Sequence, residues 1–158
     1  MFRPMRRKQK EISPDAVIKI LETARRGVLA MNGEDGYPYA IPLNFWYCEE
    51  KNAIYFHGAK SGAKADLLEK DEKVCFTVTG REEIREEEWA PFLQSVVLFG
   101  RCRILTDQKE TLDTLHQFAL KYYPDEEMVD KEISSFEKAV RMYEIKIEHM
   151  TGKEIQEK

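Results

Sequence analysis

Polar and apolar positions along this chain follow two periods, one helical and one strand-like, in separate stretches. Val17, Ile20, Leu21 and Ala24 recur at the spacing of one helix face. Ser13 before Pro14 supplies a capping hydroxyl and a proline at the first helical position, so a helix is expected to run from there to Arg26-Gly27. Strand-like runs follow: Val28 to Met31, a Gly-Glu-Asp-Gly turn at 33–36, then Tyr37 to Tyr47, rich in aromatic and branched residues. Glu49, Glu50, Lys51 and Asn52 form a second polar turn, after which Ala53 to His57 returns as a third strand, antiparallel to its neighbours.

Ser61 to Lys70 reads as a short helix with Leu67 and Leu68 inward, and Lys73 to Thr79 alternates with the period of a strand. Residues 80–90 read as a charged, solvated loop, and Gln94 to Leu105 as a long strand that Gly100 interrupts as a bulge. Asp107 with Glu110 resembles a capping box, and Leu112, Leu115, Ala119 and Tyr122 give a helix stopped by Pro124. A further helix is expected through Val129, Ile133, Phe136 and Val140. In the last strand Tyr143, Ile145 and Ile147 alternate with Glu144, Lys146 and Glu148. Strands that follow one another, with helices set around them, predict an α+β, mainly β chain: a six-stranded antiparallel β-barrel with flanking helices, not a doubly wound parallel sheet.

The 158 residues suit one domain, 1–158, with residues 1–12 as a basic N-terminal arm, since a second core would need more chain. Hydrophobic residues make up 42% and charged residues 34%, too apolar for a disordered chain and too polar for a membrane protein. The longest apolar run, Ala40 to Tyr47, is broken by Pro42 and Asn44 and falls short of a bilayer span. A net charge of −4 argues against a general nucleic-acid binder. Arg3, Arg6, Arg7, Lys8 and Lys10 are followed by an amphipathic helix where a secretory signal would continue apolar, so a cytoplasmic location is expected. Cys48, Cys75 and Cys102 are single thiols in strand-like segments, read as reduced core residues; with His57, His116 and His149 scattered, no metal site is assigned.

The common nucleotide-binding and hydrolase signatures are missing: no G-x-G-x-x-G, no P-loop, no G-x-S-x-G. The segment with most chemical potential is Tyr55 to Lys64, a strand running through a Gly-containing turn into a helix. Free N–H groups at that helix start, flanked by Lys60, Ser61 and Lys64, suit a phosphate-sized anion, although small and basic residues also open helices for solubility alone.

The ordered set Gly36-Tyr37-Pro38-Tyr39-Ala40-Ile41-Pro42-Leu43-Asn44-Phe45, Tyr55-Phe56-His57-Gly58-Ala59, Gly62-Ala63-Lys64 and Ser95-Val96 through Gly100 resembles the pyridoxamine 5′-phosphate oxidase-like split-barrel flavoproteins. Within them the branch named for nitroimidazole resistance is the nearest match. Met5-Arg6-Arg7-Lys8 leading to Glu11, and Thr151-Gly152-Lys153, extend the likeness to both ends.

This resemblance implies a homodimer with FMN in a cleft between two barrels. By position, Ile41, Pro42, Leu43 and Asn44 would lie along the isoalloxazine ring. Lys64 would hold the phosphate, with Lys60 and Ser61 beside it, and Ser95 would face the flavin from a strand start. His57 would stand beside the ring as the candidate catalytic residue. The implied function is an FMN-dependent oxidoreductase acting on a small nitro-aromatic or similar planar acceptor. The alternatives are a non-catalytic flavin-binding or storage protein, or a member of the same barrel family that takes haem or a deazaflavin. Two departures weigh against vitamin B6 oxidation. Ala63 replaces the arginine that pyridoxamine phosphate oxidases carry before the phosphate lysine, so phosphate binding must lean on other donors. The segment from Glu148 to Lys153 also lacks their paired arginine and histidine.

Overall fold

The computed structural model describes residues 1–136 and 140–156, with the backbone alone at positions 90 and 136. Helix α1 (Pro14–Thr23) begins as its sequence directs, the Ser13 side chain accepting from the Ala16 N–H at 3.2 Å. Strand β1 (Arg26–Asn32) turns into β2 (Pro38–Asn44), and β3 (Trp46–Cys48) turns into β4 (Ala53–Ala59). Helix α2 (Ala63–Lys70) leads to the long hairpin of β5 (Lys73–Arg85) and β6 (Ala90–Ile104). Helices α3 (Gln108–Tyr122) and α4 (Glu126–Phe136) precede β7 (Val140–Gln156).

The strands form one antiparallel sheet in the order β2-β1-β5-β6-β7-β4-β3. Its edge strands β2 and β3 are consecutive in the chain, so the sheet must curl until both edges meet at Phe45. The result is a split barrel whose seam is crossed by covalent chain, not by a hydrogen-bonded ladder. This corrects the six-stranded barrel expected from sequence: the sheet has seven strands and stays unclosed.

The extra strand arises because Tyr37 to Tyr47 is not continuous. Phe45 leaves both ladders and its peptide groups find partners on α3: its N–H donates to the Tyr122 hydroxyl at 2.8 Å, and Lys121 Nζ donates to its carbonyl at 2.9 Å. Single-segment reading cannot see partners 76 and 77 residues away. The charged stretch at 80–90 is likewise mostly strand. Glu82 pairs with Leu93 and Arg85 with Ala90, while Arg81 and Arg85 lie over the Phe92 ring and pair with Glu83. This differs from the solvated loop expected from sequence, because a charged hairpin arm with neither face buried carries no apolar alternation to mark it as strand. Val140 opens β7 and does not extend α4, and β7 continues to Gln156. The bulge at Gly100 is present as a register shift between Phe99 and Gly100.

The barrel interior is filled by Leu29, Phe45, Ile54, Phe56, Phe76, Leu98, Tyr143 and Ile145, all fully buried. Burying a side chain of this kind contributes about 1.5–3 kcal/mol. Val17, Ile20 and Leu21 of α1 join that core. A second core forms where Leu115 and Phe118 of α3 cover the outer face of Ala53, Tyr55 and Met142. The outer face of the other strands is less covered. Two transverse rows cross it, Pro42-Val28-Thr77-Val97-Thr151 and Ala40-Ala30-Cys75-Phe99-His149. No described helix is long and apolar enough to cross a membrane.

Candidate functional site

The seam exposes two unpaired strand edges. β2 has a ladder partner on one side only, and β3 pairs with Ala53 to Tyr55 alone, so Phe56 to Ala59 of β4 are also free on that side. Ile41 and Leu43 of β2 turn toward the core, whereas Pro42 and Asn44 face outward. At this seam a cavity of about 520 Å³ is lined by Asn44 and His57 from the barrel and by Phe118, Tyr122, Met128 and Glu132 from α3 and α4. Most of its wall is apolar, a form suited to a flat ring with few polar contacts.

The junction at Phe45 holds Asn44 in place. The Tyr122 hydroxyl accepts from the Phe45 N–H and lies 2.7 Å from both the Phe45 and Arg25 carbonyls, to one of which it donates. Lys121 also lies 3.8 Å above the Phe45 ring. Burial, and then the charge of Arg25, push the Lys121 amine down to about 8.

His57 keeps access to solvent, with its ring edge-on to Phe118 at 5.1 Å. Partial desolvation, reinforced by the charge of Lys64, lowers its pKa from the ordinary histidine value. Lys64 turns inward from the first turn of α2, its Nζ lying 5.2 Å from the Phe56 ring centre and 5.7 Å from that of Tyr143. Gly58 permits this approach: a Cβ there would stand 2.7 Å from Lys64 Nζ. Burial lowers the pKa of Lys64, partly offset by Cys102, and no carboxylate among the described residues pairs with it.

The start of α2 has no side-chain cap, and Gly62 before it adopts φ 125°, a conformation glycine tolerates. Lys60 and Ser61 are exposed beside it, Lys60 bordering a second groove with Thr106, Thr111 and Arg141. Uncapped N–H groups, an uncompensated amine and nearby cations fit a phosphate ester, and the free edge of β2 beside an apolar cavity fits a planar ring.

The structure therefore brings Asn44 and His57 together, with Lys64 close enough to act on His57, and Ile41, Pro42 and Leu43 run along the same edge. Ser95 is not part of this cavity. It lies on the outer face of β6, paired with Thr79 and Lys153, with β1 and β5 between it and β2. Sequence reading missed Phe118, Tyr122, Met128 and Glu132. The apolar spacing of α3 predicts a helix but not what its stripe faces, and the fold shows that part of it walls a cavity.

An antiparallel split barrel with a ring-sized cavity and an anion-ready helix start defines the class. The model of the pyridoxamine 5′-phosphate oxidase family matches residues 13–154, and the chain belongs to that family. No curated protein matches it. Among solved structures, it is similar to a candidate 5-nitroimidazole antibiotic resistance protein from Bacteroides thetaiotaomicron, with TM-score 0.76, 20% identity, and coverage of 92% of this chain and 87% of that one. It is also similar to an FAD-binding protein from Mesorhizobium loti (TM-score 0.64, 23% identity, 92% and 97% covered). An FAD and haem binding protein from Mycobacterium smegmatis is similar too (TM-score 0.75, 19% identity, 94% and 74% covered).

Proposed function

We propose that this chain binds flavin mononucleotide at the barrel seam and serves as an oxidoreductase for a small planar acceptor of the nitro-aromatic kind. The observation that carries the reading is the meeting of Asn44 and His57 in one largely apolar cavity, next to an amine that lacks a counter-charge. The bound flavin would supply electrons or hydride to the acceptor. Backbone groups of Ile41 to Leu43 and the Asn44 amide would fix the ring plane, while Lys64, Lys60 and Ser61 would hold the phosphate. Phe118, Tyr122 and Met128 would exclude water from the acceptor.

His57 is suited to deliver a proton to an acceptor oxygen as it gains charge. Its lowered pKa leaves the free imidazole mainly neutral at pH 7. An anion bound at Lys64 would offset the charge that helps lower it, so cofactor binding itself would ready the proton donor. The family likeness to FAD-binding and haem-binding proteins leaves FMN as our specific assignment, supported by one compact anion site.

The less covered outer face, with Val28 and Phe99 each more than a third exposed, suits a symmetric homodimer in which Ser95 would be offered to the partner's flavin. Light scattering of the loaded protein should give the mass of two chains; a loaded monomer would count against this. The catalytic reading is tested by His57→Gln, saturated with FMN and chemically reduced. Reoxidation by a nitro-aromatic should slow by roughly 10²–10⁴-fold while FMN affinity holds within a few-fold. Reoxidation at the wild-type rate would remove His57 as the donor. A wild-type protein that binds FMN but never passes electrons to the acceptor would be a flavin store instead.

A further inference from the structure

The residues around Lys64 form a group of donors without an acceptor. The Tyr143 hydroxyl is completely buried and, among the described residues, has no acceptor for its proton, although a buried O–H left alone is costly. Its ring stacks on Phe56 at 5.0 Å, nearly coplanar at 4°, and one ring edge carbon would lie 3.3 Å from a Cβ at Gly58. The Lys64 amine converges on the same missing side chain. Gly58 pairs across the strands with Arg141, two residues before Tyr143 on β7.

Burial raises the pKa of Tyr143, while the charge of the Arg141 guanidinium and its donation to the phenol oxygen oppose the rise; Arg141 and Tyr143, two apart on β7, share one face of the strand. No carboxylate among the described residues pairs with Arg141 or Lys64. Lys64 and the Tyr143 ring meet at Gly58, Arg141 pairs with Gly58 from β7, and the uncapped start of α2 adjoins Lys64 in sequence. The chemistry that would satisfy such a set is an oxyanion with several acceptor oxygens.

We propose that Arg141 and the Tyr143 hydroxyl complete an oxyanion niche with Lys64 and the start of α2, and that these two β7 residues bind the phosphate ester of the flavin. The proposal rests on the flavin reading above. It answers the departure noted in the sequence: Ala63 supplies no charge before Lys64, and the missing donors come instead from the neighbouring strand. Gly58 lets the amine reach the phenol ring, because a Cβ there would stand 2.7 Å from Lys64 Nζ. The buried hydroxyl would gain an acceptor for its proton when the anion arrives.

The test is a titration of wild type, Tyr143→Phe and Arg141→Gln with FMN, riboflavin and inorganic phosphate, well below the melting temperature. Tyr143→Phe retains the ring stacked on Phe56, so the fold should survive. Its FMN dissociation constant should rise about tenfold and that of Arg141→Gln about ten- to a hundredfold, with riboflavin changed less than twofold in both. Equal losses for FMN and riboflavin, or no loss for FMN, would overturn the niche while leaving the flavin reading intact. If wild type binds neither flavin, the flavin reading fails on its own. Phosphate then decides the niche: binding that broadens the phosphorus signal with wild type but not with the two variants supports it, and no broadening with wild type refutes it.

Discussion

Replacing Tyr122 with phenylalanine removes a single oxygen at the point where the chain crosses the seam. The ring should stay, held by Phe118 at 5.3 Å and by the Arg25 guanidinium at 5.2 Å. The Phe45 carbonyl keeps Lys121 as its donor, and the Arg25 carbonyl is exposed enough to take water. What has no substitute is the N–H of Phe45, a residue with 0% exposure. Leaving one buried amide donor unsatisfied costs about 1–3 kcal/mol. For a chain of this length each kcal/mol lowers the melting temperature by about 2–4 °C, so Tyr122→Phe should melt about 2–12 °C below wild type. Urea titration should show a lower midpoint with an unchanged slope, since the surface exposed on unfolding is the same. A midpoint equal to wild type would show that the junction does not depend on this hydroxyl, and the explanation for the break at Phe45 would fall.

Two further outcomes follow from the geometry. In Gly100→Ala the new Cβ would stand 2.2 Å from the Lys146 carbonyl oxygen, a backbone atom, so the bulge must distort at a cost of about 1–3 kcal/mol; calorimetry showing no loss would refute the crowding. Lys121, depressed to about 8 from 10.5, binds fewer protons folded than unfolded between those values, so its burial cost is present below pH 8 and relieved as pH rises toward 10.5. Stability of wild type relative to Lys121→Met should therefore rise by about 1–2 kcal/mol across that window, a figure reduced for partial solvent exposure, and a flat difference would contradict the burial of the charged amine.

Much of this architecture is legible from local pattern. The cap at Ser13, the alternation in β5, the bulge at Gly100 and the Asp107 cap, whose carboxylate accepts from the Glu110 N–H at 2.8 Å, are settled by neighbours in sequence. The capping box is only half made, because the Glu110 carboxylate reaches Arg103 instead of returning to Asp107. What local pattern misses depends on distant partners. The break at Phe45 needs α3, and the strand character of 80–90 needs the facing arm of the hairpin. The same division holds at the site. Asn44, His57 and Lys64 stand in ordered short motifs; the fold brings Asn44 and His57 to the seam cavity and leaves Lys64 turned inward close to His57. Tyr143 carries no signal of its own, since an aromatic in an alternating strand reads as core, and only its orphaned hydroxyl distinguishes it.

The central claim is that the seam holds a flavin through an anion site at the start of α2, and equilibrium titration of the purified protein with FMN and riboflavin tests it most directly, followed by the change in flavin fluorescence. The account predicts saturable FMN binding in the micromolar range or tighter, and riboflavin binding weaker by about ten- to a hundredfold, the worth of one or two charge-assisted contacts. Absence of FMN binding, or riboflavin bound as tightly as FMN, would contradict it.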